Sequence, residues 1–71
     1  MPEEEVEKLK KIAINTNLNA WERTKARETL GEIGNREAML ALMDVAGTEQ
    51  LYAWERDQSL TLARKILKKQ E

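Results

Sequence analysis

Ala20-Trp21-Glu22-Arg23 recurs 33 residues later as Ala53-Trp54-Glu55-Arg56, and this repetition decides the fold. The register extends on both sides of the tetrapeptide: Val6 falls on Met39, Leu9 on Leu42, Ile12 on Val45, Ala13 on Ala46, Leu18 on Leu51 and Ile33 on Ile66. Chance can produce one shared tetrapeptide but hardly a whole apolar frame. Periods of this length belong to arrays of helical pairs, in which each unit buries its apolar face against its neighbours. The 71-residue chain therefore reads as one all-α domain: two copies of helix, turn, helix over about residues 3–34 and 36–69.

Local signals place the four helices. Pro2 suits a first helical position, and Glu3, Glu4 and Glu5 put negative charge at the positive end of the helix dipole. Val6, Leu9, Ile12 and Ala13 form its apolar stripe, so the first helix is expected from about Glu3 to Ile14, with Asn15-Thr16-Asn17 as a turn. Asn17 or Asn19 can cap the second helix, Glu22 being the capping-box partner of Asn19. Its core face is Leu18, Ala26, Thr29, Leu30 and Ile33, and Gly31 and Gly34 weaken and stop it. Asn35 caps the third helix, which Ala38, Met39, Leu42, Met43, Val45 and Ala46 nearly surround with apolar groups. A helix of that kind is packed on most sides. Gly47 and Thr48 read as a stop followed by an N-cap, so the last helix is expected from about Glu49 to Lys69, with Leu51, Ser59, Leu62, Ala63 and Ile66 on its core arc.

The joint Ala26-Arg27-Glu28-Thr29-Leu30-Gly31-Glu32-Ile33-Gly34-Asn35-Arg36-Glu37-Ala38-Met39 resembles the junction between short HEAT repeats of the phycobilisome-lyase type. That junction has small residues and Leu on one helix, then Gly-x-Ile-Gly, then a polar turn and Glu-Ala entering the next. Two departures are Leu40, where that family often has Pro, and Ser59 and Leu62 in place of small residues. The resemblance implies two stacked antiparallel HEAT-like hairpins, forming a short right-handed α-solenoid or a compact bundle. It also implies a scaffold or adaptor role, and suggests bilin handling by fold analogy alone. About three such repeats are usually needed for a continuous core, so either the outer helices act as polar caps, or self-association or docking on a larger partner is expected.

Composition narrows the chemistry. There is no cysteine and no histidine, which removes disulfides, thiolate zinc sites, a cysteine nucleophile and the commonest general base. Catalysis, a metal and a cofactor are accordingly not expected; Asp44 and Glu49 beside a helix turn read as solvated charges, and Gly31 and Gly34 as a helix stop rather than a phosphate loop. Twelve basic and 13 acidic residues leave a net charge of −1, without the basic excess of a nucleic-acid binder. The longest apolar run, Ala38 to Met43, is too short to span a bilayer, and the acidic start is unlike a signal peptide, so cytoplasmic residence is expected.

Two features remain as candidate partner-binding surfaces. Trp21 and Trp54 fall off the core arcs of their helices. Stacked helices can present them as a ladder with Arg23 and Arg56 nearby for acidic groups or cation–π contacts. Alternatively each indole folds back over the preceding turn as a hydrophobic staple, the commoner use of an aromatic residue at a helix start. The second feature is a substitution pattern between the copies: Asn19, Arg27 and Gly34 become Tyr52, Leu60 and Leu67, widening the apolar face of the last helix for core wrapping, dimerisation or docking. The expected function is thus a non-enzymatic protein-interaction or scaffold module. Its alternative is weak binding of nucleic-acid backbones by Lys8, Lys10, Lys11, Arg23, Lys25 and Arg27, with Arg64, Lys65, Lys68 and Lys69.

Overall fold

Each hairpin is set by how its second helix begins. Asn19 has extended backbone, and the Glu22 carboxylate accepts its N–H at 2.9 Å; Glu55 accepts the Tyr52 N–H in the same way at 3.3 Å. In both copies the glutamate of Ala-Trp-Glu-Arg thus satisfies a backbone donor at the helix start. The computed structural model describes residues 2–70 and consists, among them, of four helices: α1 (Pro2–Ala13), α2 (Ala20–Ile33), α3 (Arg36–Ala46) and α4 (Ala53–Gln70).

The sharp joint between α2 and α3 has its own chemistry. Gly34 sits at φ 63°, the left-handed region where a side chain is strained, and its N–H returns to the Leu30 carbonyl at 3.2 Å. Asn35 then accepts the Ala38 N–H on its side-chain oxygen at 2.8 Å and opens α3. The helix runs through Gly31 rather than stopping there. A Cβ at Gly31 would meet the Leu62 side chain at 3.0 Å, so this glycine lets α4 approach α2 closely.

The last helix starts four residues later than expected. Thr48 does not cap it; the Thr48 hydroxyl donates to the Asp44 carbonyl at 3.0 Å and closes α3 instead. Residues 48–52 repeat the linking loop of residues 15–19, with Leu51 buried, and α4 begins at the register position of α2.

α1 packs on α2, α3 on α4, α1 on α3 and α2 on both α3 and α4, while the backbones of α1 and α4 stay apart. The body measures 34 × 25 × 16 Å. α3 touches all three other helices, and Ala38, Met39, Ala41, Leu42 and Val45 are buried on it. One core cluster gathers Val6, Leu30, Met39, Leu42 and Ile66; a second gathers Ala13, Ala26, Val45 and Leu51 near the loop end. Three expected core positions lie outside: Ile12, Thr29 and Met43 are exposed, because α1 and α2 lack a layer beyond them and α3 leaves Leu40 and Met43 facing solvent. Among the described residues no helix is long and apolar enough to cross a membrane.

Candidate functional site

The most ordered polar assembly lies inside, between α2 and α4. Arg23 and Glu55 pair in a bidentate fork, Nε to Oε1 and Nη2 to Oε2, both at 2.8 Å. Arg27 adds Nη1 to Oε1 at 2.8 Å, Nε to the Gln58 side-chain oxygen at 2.7 Å and Nη2 to the Thr24 hydroxyl at 2.6 Å. Arg23, Arg27 and Glu55 are all buried, and among the described residues no buried side-chain polar atom lacks a partner. A buried charge cluster is tolerable only when satisfied to this degree.

The charges follow from those contacts. The Arg23 hydrogen bonds hold the Glu55 carboxyl down at about 2, with burial opposing and Arg27 and the Tyr52 N–H assisting. The same pairing raises Arg23 above its ordinary value, against the cost of burial. With both oxygens engaged, Glu55 has none free to take a proton from a substrate. The assembly is a clasp joining the two hairpins.

Arg23 does a second task, which Arg56 repeats. Arg23 Nη1 donates to the Leu18 carbonyl at 2.6 Å and the Asn15 carbonyl at 3.4 Å. Arg56 Nη1 donates to the Leu51 carbonyl and, at 3.2 Å, to that of Glu49. Each arginine therefore ties down the loop before its own helix. Arg23 and Arg27 are drawn inside, away from any row that could follow a phosphate backbone, and Lys8 and Lys10 pair with Glu4, Glu7 and Asp44.

Outside the clasp lie the aromatic groups. Trp21 is 66% exposed and Trp54 53%, so neither indole folds away as a staple. The linking loop is already closed by arginine and by half-buried Leu18 or buried Leu51, which leaves the indoles no place there. Trp54 stacks on Tyr52, with centroids 6.5 Å apart and planes 9° apart, and covers the Arg27 guanidinium at 5.5 Å. Leu60 and Leu67 are exposed on α4 as well, so the widened apolar face does not wrap the core. A shallow groove between α1 and α3 is lined by Val6, Leu40 and Ala41 under Glu7, Lys10 and Asp44. Among the described residues no group of acidic side chains is arranged to hold a metal ion.

Arg23, expected beside the indoles to meet a partner's acidic groups, is instead buried against Glu55, and the burial of Arg27 and Glu55 was not among the expectations. The signal was present in their spacing: Glu55, Ser59, Ala63 and Ile66 form one helical stripe, as do Arg23, Arg27 and Leu30. No protein-family model, curated protein or solved structure matches the chain.

Proposed function

We propose that this protein is a HEAT-like module of two helical repeats that binds another protein through the outer surface of α2 and α4 and performs no catalysis. The observation that carries this reading is an inversion on those two helices. Arg23, Arg27 and Glu55 lie inside, whereas Trp21, Tyr52, Trp54 and Leu60 lie outside. Large aromatic groups on the surface cost solubility, while Trp, Tyr and Arg are the residues that dominate binding energy at protein interfaces. The Tyr52–Trp54 pair is also held in place before any partner arrives, by stacking and by the Arg27 cation, which lowers the ordering cost of binding.

The test is site-specific photo-crosslinking in the native cell, with a photoreactive phenylalanine analogue at Tyr52 or Trp21 and, as control, at exposed Lys8 on α1. The reading expects discrete protein adducts from the first two positions, diminished by Trp54→Ala, and none from Lys8. Adducts equally abundant from Lys8, or absent at all three, overturn it.

A further inference from the structure

The clasp between α2 and α4 is built from positions that also occur, without their partners, at the two outer faces of the molecule. Inside, Arg23 of the first copy grips Glu55 of the second. One register step on, the corresponding pair is Arg56 and Glu22. Arg56 holds its own loop with Nη1 just as Arg23 does, and its Nε and Nη2, the edge with which Arg23 grips Glu55, make no hydrogen bond among the described residues. Glu22 caps its own helix through Oε1, as Glu55 does through Oε2, and is exposed.

A second pair behaves in the same way. Inside, Trp54 covers Arg27. One step on, Arg27 becomes Leu60 and Trp54 becomes Trp21, both more than half exposed. A cation under an indole is thus replaced by an apolar side chain under an indole, a combination that gains by leaving water. The half-clasp and the apolar pair lie on opposite ends: Arg56 and Leu60 on α4, Glu22 and Trp21 on α2.

We infer that the partner is a second copy of this chain, which stacks head to tail by setting its Trp21–Glu22 face on the Arg56–Leu60 face of the first. This deepens the interaction-module reading and rests on it. The two faces complement each other and not themselves, so the contact is heterologous and propagates into open rows or rings rather than closing a two-fold dimer. On the α1 and α3 side the internal Lys10–Asp44 pair becomes Met43 and Lys11, where an aliphatic lysine stem covers an exposed methionine. The Gly31–Leu62 approach becomes Arg64 and Thr29, so the contact concentrates toward the N-terminal halves of α2 and α4.

The chain has no cysteine, which allows a clean trap. Arg64→Cys and Thr29→Cys, exposed sites that stand where Gly31 and Leu62 approach inside and that leave Trp21, Glu22, Arg56 and Leu60 intact, are prepared separately and treated with a short bismaleimide. The inference expects covalent dimers when the two variants are mixed, few from either alone, and a ladder of oligomers from the double variant. Covalent dimers from R64C alone would show a symmetric α4 contact and overturn head-to-tail stacking; no product in the mixture at the highest soluble concentration overturns self-association. Charge reversal supplies a second reading by sedimentation. R56E alone and E22R alone are expected to stay monomeric, and their mixture to associate; a mixture as monomeric as its parts contradicts the inference. If these assays fail while Tyr52 still photo-crosslinks to a different protein, self-stacking falls and the interaction-module reading stands.

Discussion

Ala20-Trp21-Glu22-Arg23 and Ala53-Trp54-Glu55-Arg56 are the same four residues at the same place in a helix, yet one glutamate is exposed and the other is completely buried. Their local roles agree: each glutamate caps a backbone N–H and each arginine ties the preceding loop. The difference comes from what lies alongside. Glu55 has α2 as its neighbour and receives Arg23 and Arg27, whereas Glu22 has no helix beyond it. Local sequence sets the cap, and the neighbouring layer decides whether the cap also becomes a core element.

Removing the two glutamates should break this comparison most sharply. Glu55→Ala leaves two buried guanidinium groups uncompensated and is expected to cost about 3–5 kcal/mol. A 71-residue domain has only about 4–10 kcal/mol to lose. Glu22→Ala removes a cap and should cost about 1 kcal/mol. Urea unfolding at neutral pH measures both; equal losses would refute the distinction.

The two hairpins, the helix count, the Asn35 cap and most of the buried stripe were readable from residue spacing because they depend on period and on local capping. The start of α4 was misplaced because Thr48 looks like an N-cap; its hydroxyl serves the helix behind it. The 33-residue register, applied to the loop as well as to the helices, points to Ala53. The clasp was hidden for another reason. Arg and Glu on a helix are ordinarily solvated, and only the packing of α4 on α2 brings their ends together across 32 residues of chain.

Acid should then separate the copies. The Glu55 carboxyl lies at about 2 in the folded chain against an ordinary 4.5, so the stability it supplies is complete above about pH 4.5 and is lost as pH falls through about 2. Glu55→Gln cannot lose that contribution on acidification. Its unfolding midpoint, lower than wild type at neutral pH, is expected to converge on wild type between pH 4.5 and 2.

A smaller effect tests the joint between the copies. Gly34→Ala forces a side chain into φ 63° and should cost about 1 kcal/mol. Gly31→Ala gains helix propensity but presses on the movable tip of Leu62, so the two effects offset and its thermal midpoint should stay near wild type.

The smallest difference concerns the indoles. Trp54→Ala uncovers the Arg27 cation and is expected to cost about 0.5–1 kcal/mol. Trp21→Ala touches no such group and should stay within about 0.5 kcal/mol of wild type in the monomer. Thermal unfolding of dilute protein is the suitable measurement, since it removes any contribution from association.

The most direct test of the central claim, that a neighbouring helix turns one of two identical caps into a core ion cluster, is a carbon-13 NMR titration of the Glu55 side-chain carboxyl. A midpoint near 2, moving up toward 4.5 in a folded Arg23→Met variant, is the predicted result. A wild-type midpoint already near 4.5 would mean that Glu55 stands in water like any surface carboxylate, and would contradict the account.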